Sequence, residues 1–167
     1  PDAPIHIIEF SDFGCPYCAR FALESYPALH EEFVETGKVY WQFIPITIGS
    51  FPNGDEAARS AECAGEQGEH HFWAMQRRLY AEQGRWRGTG EAGPIFRSLA
   101  VEIGLDASRF ASCMQEDRPG ERMWAHNYVA SQLGVRGTPS FLVNGMPVEG
   151  APPLDRFREF LRQFPTQ

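Results

Sequence analysis

Two cysteines two residues apart, in the run Phe13-Gly14-Cys15-Pro16-Tyr17-Cys18-Ala19-Arg20, are the side chains best equipped for chemistry in this sequence. A pair at that spacing can hold a metal, brace the fold or exchange electrons. Structural zinc takes four ligands, usually as two close pairs. This chain has one close pair; His70 and His71 are adjacent and diverge on a helix, and His6, His30 and His126 stand apart. A disulfide across two residues closes so small a loop that it removes little unfolded-state entropy, which makes it a weak brace. Electron exchange is the reading that the surroundings favour.

Those surroundings are a strand running into a helix. The apolar, β-branched run Ile5-His6-Ile7-Ile8-Glu9-Phe10 predicts a buried strand, and Ser11-Asp12-Phe13-Gly14 a turn after it. Pro16 suits the first turn of a helix, where its missing N–H would have no partner anyway. Cys15 then faces unpaired backbone amides and the positive end of the helix dipole, which favour thiolate and lower its pKa. Cys18 lies about one turn deeper on the same side and less exposed, placed to resolve what Cys15 attacks.

The rest of the chain has to support that junction. Phe21, Ala22, Leu29, Phe33 and Val34 continue the helical spacing, with Pro27 kinking it and Gly37 ending it. Residues 38–46 predict a second strand. From about 55 to 133, helical patterns broken by glycines predict four or five short helices. One starts at His70-His71 and buries Phe72 and Trp73; Arg85-Trp86-Arg87 reads as a solvated loop. Ser140-Phe141-Leu142-Val143, the turn Asn144-Gly145 and Met146–Gly150 predict a hairpin, and 153–164 an amphipathic helix. The order β–α–β, helical block, β–β–α predicts an α/β domain over 1–167. It has a mixed central sheet with helices on both faces and a helical insertion at about 55–133.

Composition bounds the function. A length of 167 residues suits one domain, and a net charge of −7 argues against nucleic acid or anionic lipid as a partner. No apolar run reaches the length of a membrane span. The chain opens on Pro1 without a leader, so it reads as processed or trimmed, with any export signal or anchor upstream. Four cysteines permit two disulfides; Cys63 and Cys113 in the helical block also suit buried free thiols acting as small apolar residues.

Ile7-Ile8-Glu9-Phe10, then Cys15-Pro16-Tyr17-Cys18, then Arg136-Gly137-Thr138-Pro139-Ser140-Phe141 ahead of a strand together resemble the DsbA-type thiol:disulfide oxidoreductases of the thioredoxin superfamily. The resemblance runs over about residues 5 to 161 and includes Glu62–Gly68 leading to Phe72-Trp73, similar to the family's first insertion helix. It implies a thioredoxin fold with Pro139 in a cis bond beside the active pair, and the Thr138 backbone turned to Cys15 to pair with a bound peptide. It implies that Glu9 is a buried acid relaying protons for Cys18; on the residues alone, a surface-facing glutamate of an alternating strand also fits. It further implies a Cys63–Cys113 disulfide, and with it an oxidising compartment.

The function implied is dithiol/disulfide exchange on cysteine-containing proteins outside the cytoplasm, in the periplasm or cell envelope. A redox partner recycles the dithiol, the membrane is met only through an upstream anchor, and no metal or organic cofactor is used beyond the redox-active disulfide. Tyr17 stands where the strongest family oxidants carry histidine, and Thr138 where they carry valine, which implies a moderate oxidant. The alternatives are a reductase or isomerase-type exchanger, or a non-catalytic peptide-binding module on the same scaffold. Phe13, Tyr17, Phe51 and Pro52 would rim an apolar peptide groove near Cys15; Phe51 equally suits the core.

Overall fold

A computed structural model describes residues 2–49 and 51–165; the ends of the expected domain at residues 1, 166 and 167, and Ser50 in the second loop, lie outside them. Strand β1 (Ile5–Ser11) occupies the middle of a four-stranded sheet of order β2-β1-β3-β4. It pairs in parallel with β2 (Val39–Pro45) and antiparallel with β3 (Ser140–Val143), which turns back antiparallel into β4 (Met146–Glu149). The hairpin turn has Asn144 and Gly145 both at positive φ, 48° and 82°, the backbone that a two-residue hairpin with an Asn-Gly pair adopts.

Between β1 and β2 runs a helix in four pieces. α1 (Pro16–Arg20) and α2 (Tyr26–Leu29) are regular, and two wide π-helical turns, Phe21–Ser25 and His30–Val34, flank the regular turn that holds Pro27. A proline cannot donate to the i−4 carbonyl, and the wider turn re-routes the backbone bonds without ending the helix. The final helix, named α9 below, spans Leu154–Leu161. Phe21, Leu29 and Phe33 join Phe157 and Leu161 of that helix over one face of the sheet, around Trp41 and Phe141.

Six helices, rather than four or five, fill the insertion: α3 (Gly54–Gly65), α4 (Glu69–Ala81), α5 (Gln83–Trp86), α6 (Ala92–Glu102), α7 (Ala107–Gln115) and α8 (Gly120–Gln132). The extra one is α5, in the stretch read as solvated loop. Trp86 is fully buried there and its indole donates to the Leu79 carbonyl at 2.8 Å, which folds the Gly-rich segment back onto α4. Phe72 and Trp73, expected in the core, are half-buried; Trp73 stacks on Tyr26 at 6.2 Å between ring centroids. α8 covers the second face of the sheet, where Ala130 packs with Phe10 and Ile46. Helices thus lie on both faces. Cys63 of α3 and Cys113 of α7 form a disulfide with Cα atoms 5.8 Å apart.

Candidate active site

The C-terminal end of β1 delivers the chain to the pair. Cys15 caps α1 in an extended conformation (φ −76°, ψ 122°), and Pro16 follows in the first turn. Both thiols are reduced and buried, Cys15 at 1% exposure and Cys18 at 0%. Neither residue is open to solvent and Cys18 is the deeper of the two, as expected, but their main contrast is electrostatic. Cys15 is lowered to about 6, first by a hydrogen bond from the Cys18 thiol, against the opposing cost of burial. Thr138 and the amides of Cys18 and Tyr17 lower it further. The start of the helix thus ranks behind the neighbouring thiol, and the sulfur forms no capping hydrogen bond of normal geometry. Cys18 is pushed far up, by burial first and then by the Cys15 sulfur. One sulfur is thus disposed to ionise and the other to stay protonated, the division of labour that exchange chemistry needs.

Across from the pair, the Thr138–Pro139 peptide bond is cis, and the Thr138 carbonyl oxygen lies 3.3 Å from Cys15 Sγ. The Thr138 hydroxyl is buried without a hydrogen-bond partner among the described residues.

Glu9 is buried at 2% exposure. Alternation along β1 does not turn it to solvent, because this central strand is covered on both faces and Glu9 falls on the side of Ile5, Ile7, Trp41 and Phe141. Its two oxygens accept from Ser11 Oγ at 2.6 Å and Trp41 Nε1 at 3.0 Å. Burial raises its carboxyl to about 7, and those two bonds hold the rise down. Ser11 also lowers the Cys18 thiol, opposing part of the rise that burial causes, so the hydroxyl that holds Glu9 acts on that sulfur as well.

Four further residues shape the site, three of them not singled out from sequence and the fourth, Arg87, read as part of a solvated loop. Buried Asp12 accepts from the amides of Gly14 at 2.8 Å and Ile48 at 3.2 Å, tying the cysteine loop to the loop after β2. Burial raises its carboxyl, and those amides oppose the rise. Tyr80 of α4 is buried against Phe13, with its hydroxyl unpartnered among the described residues. Gln83 and Arg87, from α5 and the residue after it, reach the carbonyls of the cysteine loop. Ser11 and Asp12 read as a turn between β1 and Cys15, and their place in the sequence was the one available signal. Gln83 gave none, and Arg87, read as solvated, instead reaches the Gly14 carbonyl.

The expected aromatic rim is divided. Tyr17 is exposed at 57% with the Arg20 guanidinium 5.3 Å above its ring, whereas Phe13 is fully buried. Phe51 is half-buried over Gly14: a Cβ at position 14 would lie 2.3 Å from that of Phe51. A cleft of about 820 Å³ lies elsewhere, lined by Tyr26, Tyr40, Trp41 and Trp73. It includes neither cysteine, though Trp41 both lines it and donates to Glu9. Among the described residues no cluster of three or more metal-ligating side chains occurs.

The family model described as thioredoxin matches residues 1–163. The chain belongs to the thioredoxin family. Within it, the fold is that of DsbA-type members. It superposes on oxidised BdbD from Bacillus subtilis with a TM-score of 0.87 at 19% identity, covering 97% of this chain and 88% of that one. It superposes on Chlamydia trachomatis DsbA with a TM-score of 0.84 at 21% identity, covering 98% and 87%. In sequence it is similar to the "Na(+)/H(+) antiporter NhaA 1" of Salinispora arenicola, 33% identical over 152 residues. That match takes in 90% of this chain and 22% of the relative, so the chain spans about a fifth of that protein's length. It is also similar to the "Probable disulfide bond formation protein D" of Bacillus anthracis, 29% identical over 147 residues, 86% of this chain and 67% of that one. This thioredoxin-family member therefore matches proteins of quite different overall length.

Proposed function

We propose that the chain is a thiol:disulfide oxidoreductase that exchanges disulfides with protein cysteines through Cys15 and Cys18, as a moderate oxidant outside the cytoplasm. The observation that carries this reading is the divided acidity of the pair. Cys15 is lowered to about 6 beside the Thr138 carbonyl, while Cys18 behind it is held protonated. The relatives named for disulfide bond formation support it.

In the oxidising direction a substrate thiolate attacks Cys15 Sγ of the closed disulfide. The Cys15–Cys18 bond breaks, a substrate–Cys15 bond forms, and Cys18 leaves as a thiolate that takes up a proton by way of Ser11 and Glu9. A second substrate thiolate then attacks the substrate sulfur of that bond and expels the Cys15 thiolate. Two electrons pass to the pair, and the substrate gains a disulfide. The reverse sequence reduces a substrate. The Thr138 backbone beside Pro139 pairs with the substrate segment, and Tyr17 flanks it. No metal or organic cofactor enters; an external partner reoxidises the dithiol.

The Cys63–Cys113 disulfide supports an oxidising compartment, the periplasm or cell envelope. No helix among the described residues is long and apolar enough to cross a membrane, so on this reading any attachment lies outside them.

Equilibration with glutathione tests the proposal. A cysteine at about 6 falls between the roughly 7 of thioredoxin and the roughly 3.5 of DsbA. The potential should therefore lie between about −270 and about −120 mV. A potential as oxidising as the strongest DsbA would remove the word moderate. Insulin reduction no faster than that of Cys15→Ser would remove the enzyme.

A further inference from the structure

Three successive carbonyls of the cysteine loop are held by two side chains from one short piece of the insertion. Gln83 Nε2 donates to the Phe13 carbonyl at 2.7 Å and to the Cys15 carbonyl at 3.0 Å. Arg87 Nη1 donates to the Gly14 carbonyl between them at 3.1 Å. Gln83 is buried, so both of its bonds form away from competing water. Its helix is itself fixed by fully buried Trp86, and the chain just beyond Arg87 is tied down where the Gly88 amide donates to Asn53 Oδ1 at 2.8 Å.

This grip bears on the reactive sulfur by a short route. The Cys15 carbonyl that Gln83 holds is also the acceptor of the first helical bond, from the Ala19 amide at 3.1 Å. Two donors on one oxygen fix the orientation of the Cys15–Pro16 peptide, and so the ψ of 122° at Cys15. That torsion carries the side chain to within 3.3 Å of the Thr138 carbonyl and into reach of the Cys18 thiol and the first helical amides. Rotation of the peptide would take the sulfur away from the groups that favour its charge, and a burial cost opposing that charge would remain.

We propose that Gln83 and Arg87 are positioning residues for Cys15: the insertion sets the acidity of the attacking sulfur, and with it the reduction potential, by pinning the backbone on which that sulfur rides. The proposal rests on the reading of Cys15 as the attacking thiol. Neither side chain needs to touch the sulfur or a substrate. The Gln83 contacts are amide to carbonyl, so they carry no net charge to the site.

Titration of the reduced protein by thiolate absorbance, with equilibration against glutathione at pH 8, tests it in Gln83→Ala, Gln83→Glu and Arg87→Met. Gln83→Ala should raise the Cys15 pKa by about one unit and shift the glutathione equilibrium about tenfold toward the disulfide form, ~30 mV less oxidising. Gln83→Glu retains the shape but donates only when protonated. In acid its Cys15 should approach wild-type behaviour; above neutral pH the ionised carboxylate no longer donates and also repels the thiolate, so the rise in Cys15 pKa should equal or exceed that of Gln83→Ala, a pH signature that loss of packing does not produce. Arg87 is exposed, so Arg87→Met keeps the fold within reach if the buried variants fail to fold. It should move pKa and potential in the same direction, by less. Loss of thermal stability with an unchanged Cys15 pKa and potential in the soluble variants overturns the proposal. A wild-type Cys15 that titrates near 9 overturns instead the reading of the active site on which it rests.

Discussion

The Ser11 hydroxyl donates to Glu9 at 2.6 Å, and the same side chain lowers the Cys18 thiol against the cost of burial, so one hydroxyl acts on both a buried acid and the inner sulfur. Glu9 titrates at about 7, where it can take or return a proton without a large penalty either way. On the proposed mechanism, the proton that Cys18 loses when it attacks a mixed disulfide passes to an ionised Glu9. The Cys18-dependent step should therefore accelerate as pH rises through about 7. Glu9→Gln should slow that step about 100-fold and abolish the inflection, and Ser11→Ala should slow it less. Stopped-flow release of a labelled peptide from its Cys15 adduct measures both.

Glu9 also makes stability depend on pH. Its carboxyl rises from 4.5 to about 7 on folding, so its contribution is intact below pH 4.5 and is lost as pH increases through about 7. Removing the acid relieves that loss. Glu9→Gln should be more stable than wild type at pH 8, by on the order of 3 kcal/mol, and should show no such gain at pH 4. Denaturant unfolding of oxidised protein at the two pH values gives the comparison.

Cys15 has the opposite sign. Its folded value of about 6 lies below the ordinary 9, so the reduced protein gains stability from the thiolate as pH rises from about 6 to 9 and loses it as pH falls through 6. The oxidised protein has no thiolate to contribute. The difference in unfolding midpoint between reduced and oxidised forms should move in favour of the reduced form across that window. Cys15→Ser, which has no thiolate at that position, should lack the gain in stability of the reduced protein across the same window.

The Cys63–Cys113 bond closes a loop of 50 residues. Chain entropy values such a closure at roughly 4 kcal/mol. Replacing both cysteines by alanine should lower unfolding stability by up to about that amount while the Cys15 pKa stays where it is. Alkylation of the unfolded wild-type protein with the Cys15–Cys18 pair reduced and Cys63–Cys113 intact should label two cysteines, as mass spectrometry can count.

Tyr17 lies between the two cysteines in solvent, with no charge of its own to offer a thiolate. Tyr17→His places a cation there at acid pH. The Cys15 pKa should drop by about one unit when that imidazole is protonated, with a corresponding rise in oxidising power. Thiolate absorbance against pH gives the first quantity and glutathione equilibration the second.

The parts of this molecule that were readable from sequence are those whose signals are local. The β-branched run into Cys15, Pro16 in the first turn, and Asn144-Gly145 between two short strands each specify their structure within a few residues. What stayed hidden depends on residues far apart in the chain. The Gln83 amide meets carbonyls 70 and 68 positions away, and nothing in Glu82-Gln83-Gly84 announces it. Trp86 sits among glycines and arginines, a composition that reads as solvated, and only the closed fold shows that its ring is wholly enclosed. Glu9 was readable as an oddity on an apolar strand. It shares the parity of buried Ile5 and Ile7 along β1, but that this face is closed over by Trp41, Phe141 and the final helix depends on residues far away in the chain.

Position 14 and position 17 stand in the same loop under opposite constraints. The backbone of Gly14 passes so close to Phe51 that the smallest side chain would collide, whereas the ring at 17 projects into water. A lineage adjusting this protein to a more or less oxidising milieu therefore has one site at which substitutions are cheap and chemically audible, set in a frame that tolerates almost none.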